Sequence, residues 1–279
     1  MKVRFWGTRG SIATPGKETV IYGGNTTCVE IILSDGQRVV IDAGTGIRAL
    51  GQKMKAGGED VDFYLFITHI HWDHVLGFPF FSPIHEEKTT IRIDGFPNCM
   101  KGIRYPFENR MGDGFFPVSF DDLKAHIIYL DKLRKGPLHI GDTIVDTVLL
   151  HHPQGGYGYR FREGDRILVF ITDNELVKGE AEAFDPYVRF CEGADLLIHD
   201  AQYGPEEIKR RRGWGHSNYE DVVSLAMKAG VSKLVLFHHD PSRTDLELQR
   251  IERHCVEIAG NHNSDLVVEA AREGSELTL

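Results

Sequence analysis

The stretch Thr68-His69-Ile70-His71-Trp72-Asp73-His74 constrains this chain more than any other. It follows Val61-Asp62-Phe63-Tyr64-Leu65-Phe66-Ile67, an apolar run that reads as a buried strand, and it sets three imidazoles and a carboxylate within six residues. In extended backbone His69 and His71 point to one side and can share an ion. The turn that follows can aim Asp73 and His74 at a second. Neutral imidazole and carboxylate together suit Zn, Mn or Fe.

The remaining chain reads as two β-then-α halves of one domain spanning residues 1–279. Strand signals fall at 2–6, 27–33, Arg38–Ile41, 90–93, 125–130, 143–150, 157–162, Arg166–Ile171, 195–198 and Lys233–Phe237. A short helical stretch is expected at 47–50. Longer helices are expected at about 218–229, with Ser217 and Glu220 as a capping box, and at about 245–259, with Thr244 and Glu247 in the same roles. Residues 95–117, rich in glycine and aromatics, read as a lid inserted near the histidine motif. A formal net charge of -9 works against DNA, RNA and anionic membranes as partners and favours small substrates. Cys28, Cys99, Cys191 and Cys255 stand apart with no CxxC, and are expected to be reduced and buried. No apolar run reaches membrane-spanning length, and residues 1–7 enter a strand pattern without a signal-peptide core, so a cytoplasmic protein is expected. A homodimer is compatible with all of this.

With these residues in view, the chain resembles the metallo-β-lactamase superfamily, whose H-x-H-x-D-H loop sits on a four-layer αββα sandwich of the α/β class. The resemblance is to its phosphodiesterase branch, which includes ribonuclease Z and the phosphonate-pathway cyclic phosphodiesterase. His152-Pro153-Gln154-Gly155-Gly156-Tyr157-Gly158-Tyr159-Arg160 looks like that branch's metal histidine and the Gly-Tyr-Arg six residues beyond it. Phe170-Ile171-Thr172-Asp173 looks like the strand ending in a bridging aspartate. Gly215-His216-Ser217 and Leu234-Val235-Leu236-Phe237-His238 look like the branch's later segments.

The resemblance implies that His69, His71 and His152 hold one metal ion, that Asp73, His74 and His238 hold another, and that Asp173 bridges them. His238 is preferred to His239 because it directly ends its strand. Asp42 would orient a ligand histidine. The catalytic candidates are Asp73, His216 and Asp200, with His216 as general acid and Asp200 at a position where the branch usually has Glu. Two divalent ions, zinc first among the candidates, would acidify a shared water for attack on a small or cyclic nucleotide-like phosphodiester. The short span between His152 and Asp173 leaves no room for the arm with which ribonuclease Z grips transfer RNA. Lys209-Arg210-Arg211-Arg212 reads as a solvated helix end, with contact to a substrate phosphate as the other reading. A thioester or lactone hydrolase of the same fold and a non-catalytic, metal-dependent nucleotide-binding protein are the competing functions.

Overall fold

Apolar residues at both faces of successive strands force a layered architecture. The computed structural model describes every residue except 59, 97–103, 110, 113, 115 and 178–180, so Cys99 and part of the 95–117 segment lie outside the described residues. The first sheet contains β1 (Lys2–Gly7), β2 (Cys28–Ile32), β3 (Arg38–Ile41), β4 (Val61–Ile67), β5 (Thr89–Gly95), β6 (His126–Tyr129) and β14 (Glu276–Thr278). Its order is β14-β1-β2-β3-β4-β5-β6. The second contains β7 (Leu138–Ile140), β8 (Thr143–Leu149), β9 (Tyr157–Glu163), β10 (Arg166–Ile171), β11 (Leu196–Asp200), β12 (Lys233–Phe237) and β13 (Val267–Ala270). These run in reverse order across that sheet, from β13 to β7.

Alternation along β10 shows why the layers stack. Leu168 and Phe170 join the layer between the sheets, whereas Val169 and Ile171 face the helices. Aromatic rings lock the inter-sheet layer, with Phe66 centred 5.4 Å from Tyr159 and Phe170 5.4 Å from Phe237. Helix α1 (Ile47–Ala56) covers the first sheet's outer face. The short helices α2 (Trp72–Val75), α3 (Tyr105–Glu108) and α5 (Pro205–Ile208) sit in loops. Helices α4 (Ala181–Cys191), α6 (Tyr219–Lys228) and α7 (Asp245–Asn261) cover the second sheet. The result is the expected αββα sandwich.

Parallel pairing decides where the chemistry sits. Strands β3, β4 and β5 run parallel, as do β10, β11 and β12. Their carboxyl ends therefore open on common edges, where loops are free to carry function. Asp42 follows β3, Thr68-His69 follows β4, Asp173 follows β10, Asp200 ends β11 and His238 follows β12.

Two local expectations change. The helix expected at 47–50 extends to Ala56, because Leu50 and Met54 continue its buried face. Helix α6 is capped by Asn218, whose side chain accepts from the backbone N–H groups of Glu220 and Asp221. Ser217 is instead occupied elsewhere: its hydroxyl donates to the Asn174 carbonyl at 2.5 Å and accepts from the Leu176 N–H at 3.0 Å. Among the described residues Cys28, Cys191 and Cys255 are free and buried, and no helix is long and apolar enough to cross a membrane.

Candidate metal centre

Three imidazoles meet at the end of β4. His69 Nε2 lies 3.0 Å from His71 Nδ1, which lies 3.1 Å from His152 Nε2. Two ligand nitrogens on one tetrahedral ion with ~2.0–2.1 Å bonds would stand about 3.3 Å apart, close to this spacing. The opposite nitrogens of His69 and His152 are engaged. The Thr68 hydroxyl donates to Asp42, so its oxygen accepts from His69 Nδ1–H at 3.1 Å. His152 Nδ1–H donates to the Gly215 carbonyl at 2.9 Å. His71 is hydrogen-bonded by Gln154. Burial holds all three rings below the usual imidazole range, which leaves neutral lone pairs facing one point.

A second group lies beside the first. His74 Nε2 and His238 Nε2 are each 3.2 Å from Asp73 Oδ2, and they stand 3.3 and 3.2 Å from Asp173 Oδ2. Asp173 Oδ1 faces the other way, 3.7 Å from His69 Nε2 and 3.9 Å from His152 Nε2. His74 Nδ1–H donates to Asp42 Oδ2 at 2.7 Å, and His238 Nδ1–H donates to Gln202 Oε1 at 3.0 Å. His74 Nε2 is buried and lacks a well-formed hydrogen bond. Burial opposes a charge on His74, yet Asp73, Asp173 and Asp42 outweigh it and hold the ring well above its ordinary range. A cluster of buried carboxylates that draws positive charge to an orphaned nitrogen has the chemistry of a cation site, and its N and O donors fit divalent transition metals.

Backbone geometry aims these groups. Asp42, Asp173 and His238 have φ of 62, 50 and 56°, each within two residues of a strand end. Left-handed conformation costs a non-glycine residue ~1–2 kcal/mol, and here it turns three strand-end side chains into the same edge. The loop after β1 completes the wall. Ser11, with φ of 62°, donates its N–H to Asp73 Oδ2 at 2.7 Å. Arg9 fixes that loop from beneath through carbonyls of Gly23, Asp240 and Arg243.

His216 stands at the rim of both groups. Its ring stacks on His238 at 5.1 Å, and its Nδ1–H donates to Asp200 Oδ2 at 3.0 Å. Asp200 also accepts from the N–H groups of Asn174, Ser217 and Gln202, so its carboxylate is fixed. Burial works against charge on His216, but Asp200 prevails and the ring is pushed up to about 9. The neighbouring histidines point elsewhere: His239 Nε2 meets the Ala271 carbonyl and His151 Nδ1 the Glu175 carbonyl. The cations of the basic run are largely matched. Lys209 pairs with Glu206 at 2.6 Å, Arg211 with Asp240 at 3.6 Å and Arg212 with Glu175 at 3.6 Å.

All nine sequence-derived site residues thus share one edge of the sandwich. Sequence reasoning missed Thr68, Gln202, Ser11 and Glu175. Glu175 is buried and accepts from the N–H groups of Gly213 and Gly215, holding the loop that carries His216. Thr68 had a signal in its place beside His69, whereas Gln202, Ser11 and Glu175 act through contacts between segments distant in sequence.

Comparison with known proteins places this geometry. Residues 37–239 match the model of the β-lactamase superfamily domain. The chain belongs to that family, and it is a metal-dependent hydrolase. It is 24% identical over 284 residues to a protein named ribonuclease Z from Haloarcula marismortui, covering 85% of this chain and 86% of the relative. Among solved structures it resembles the metallo-β-lactamase fold protein YhfI from Bacillus subtilis, with a TM-score of 0.73 at 18% identity, over 99% of this chain and 98% of the other. It also resembles a diphosphatase from the PhnP family, with a TM-score of 0.66 at 18% identity, over 100% and 97% of the two chains.

Proposed function

We propose that this chain is a dinuclear phosphodiesterase acting on small phosphodiesters. His69, His71 and His152 would hold one ion, Asp73, His74 and His238 the other, and Asp173 would reach both. Zinc suits these donors best, with Mn or Fe as alternatives. When bound, such ions supply an acidified water and neutralise charge that develops on phosphoryl oxygens.

The chain's own residues do the rest. Asp42 and Gln202 keep the Nδ1 protons of His74 and His238 in place, so that each Nε2 remains a donor. Asp73, held by the Ser11 N–H, keeps one oxygen toward both histidines. His216 is the proposed general acid. Because Asp200 occupies Nδ1, the proton it gives to the departing oxygen must come from Nε2. The observation that carries the phosphodiesterase reading is this His216–Asp200 pair beside the two donor groups. Small substrates are favoured by the net charge of -9 and by the pairing of the basic run. The chain turns directly from β9 into β10 at Gly164-Asp165, which leaves no arm there to grip a folded RNA. We read residues 1–279 as a single hydrolase domain, with 95–117 as an insertion at the rim.

The test compares wild type and His216→Ala on bis(p-nitrophenyl) phosphate, on a nucleotide diester with a basic alkoxide leaving group, on a thioester and on a precursor transfer RNA. General acid catalysis is worth ~10²–10⁴-fold, and nitrophenolate departs without it. The variant should therefore lose at least about tenfold more kcat/KM on the nucleotide diester. Equal losses would remove His216 from proton transfer. Turnover of the thioester or the transfer RNA in preference to both small diesters would overturn the substrate class.

A further inference from the structure

The metal loop has a second, apolar side. While His69, His71, Asp73 and His74 turn toward the proposed ions, Ile70, Trp72 and Leu76 line a cavity of about 350 Å³ together with Phe80, Phe107 and Phe116. That volume lies within the ~300–1,000 Å³ of ordinary small-molecule sites. The cavity is not a packing defect. Phe107 is buried against Phe78 with centroids 4.1 Å apart, and Phe116 meets Phe80 edge-on at 5.4 Å, so aromatic contacts tie Phe107 and Phe116 to the metal-loop side. Trp72, Leu76 and Phe80 nevertheless remain 62, 45 and 55% exposed at its mouth. Such exposure of large apolar groups beside a reactive centre calls for an occupant.

Continuity with the metal edge identifies the occupant. Ile70 also lines a small recess with His69 and His71, so the apolar cavity and the recess at the imidazole donors share this residue. Among the described residues the cavity lining carries no charged side chain, and its side-chain hydrogen-bonding groups are the Tyr105 hydroxyl and the Trp72 indole. A nucleobase seated there would find few side-chain partners for its polar edge, and each group left unpaired opposes binding. An alkyl or plain aryl group would instead gain ~0.8 kcal/mol per buried methylene. The leaving oxygen belongs on the His216 side, and no residue of 214–218 lines the cavity, so the arm bound here is the one that stays on phosphorus.

We propose that this cavity binds a hydrophobic ester arm, making the preferred substrates phosphodiesters that carry one alkyl or aryl group free of polar atoms. The inference rests on the phosphodiesterase reading above.

The test uses metal-loaded protein and methyl, butyl and octyl p-nitrophenyl phosphates. Each added methylene should raise kcat/KM about fourfold until the cavity is full, so butyl should exceed methyl some ~50-fold. In Leu76→Arg, which places a cation at the mouth, the same series should flatten to within about twofold. Independently of turnover, the uncharged fluorophore N-phenyl-1-naphthylamine should bind wild type one-to-one, be displaced by octyl phosphate, and fail to bind Leu76→Arg. A flat series on an active wild-type enzyme overturns the cavity assignment. Absence of turnover for every diester, with the fluorophore still bound and displaced, overturns the phosphodiesterase reading while leaving an apolar binding site. A wild-type dimer that Leu76→Arg converts to monomer would show that a second copy covers the cavity, which also overturns the proposal.

Discussion

Asp42→Asn tests the contact behind His74 in the proposed metal centre, because the Thr68 hydroxyl, which also reaches Oδ2, keeps a partner in Oδ1 at 3.1 Å. Asparagine keeps the shape of aspartate and tolerates the φ of 62° found at this position, so backbone strain does not confound the result. Asp42 Oδ1 accepts from the Thr68 N–H at 2.8 Å, and the amide oxygen of asparagine can preserve that bond. The –NH₂ then takes the place of Oδ2, 2.7 Å from His74 Nδ1. Two donors cannot face each other at that distance. His74 must move its proton to Nε2, which removes the lone pair aimed at Asp73 and Asp173, or the ring must rotate away. Loss of an orienting partner behind a metal-bound histidine costs about 10–100-fold in metal affinity, or ~1.4–2.7 kcal/mol. Competition of the protein against a chromophoric chelator for Zn²⁺ measures this directly, with circular dichroism as the folding control. The expected result is one ion weakened by at least about tenfold while the ion assigned to His69, His71 and His152 stays near wild type. Unchanged affinities for both ions would refute the role of Asp42, and equal weakening of both would refute the division of ligands.

Two further substitutions probe the supports of the site. Gly215 has φ of 85°, and an added Cβ would stand 2.0 Å from His152 Nδ1, so Gly215→Ala should displace the His152 ring. It should lower both thermal stability, by ~1–3 kcal/mol, and metal affinity; chelator competition and differential scanning calorimetry check both, and a neutral outcome in the two assays would contradict the geometry. Asn218→Ala should cost ~1 kcal/mol in urea unfolding through the lost cap of α6. Ser217→Ala should leave that cap intact and act instead on the segment after Asp173, so a helix destabilised by the serine change alone would reverse the assignment.

The metal loop was legible because its information is local. The i, i+2 spacing just beyond β4 lets His69 and His71 share a side wherever the backbone stays extended, and the Thr244–Glu247 box likewise forms within one turn. The convergence of His152, Asp173 and His238 required the family resemblance, since no spacing in the sequence says that β10 and β12 end on the same edge. The cap of α6 was misassigned because Ser217 and Asn218 both suit an N-cap, and a contact with Asn174, distant in sequence, decides between them. The edge strands β7, β13 and β14 were missed because they are three or four residues long and carry little apolar periodicity of their own. The loop after β1 shows the same limit. Arg9 is fully buried and fastens the segment whose Ser11 N–H holds Asp73, through carbonyls distant in sequence.

The number of ions held per chain tests the central claim most directly. Protein reconstituted with Zn²⁺, freed of excess metal and measured by elemental analysis should retain two ions per chain, whereas a reproducible value of one or none after reconstitution would contradict a dinuclear centre bridged by Asp173.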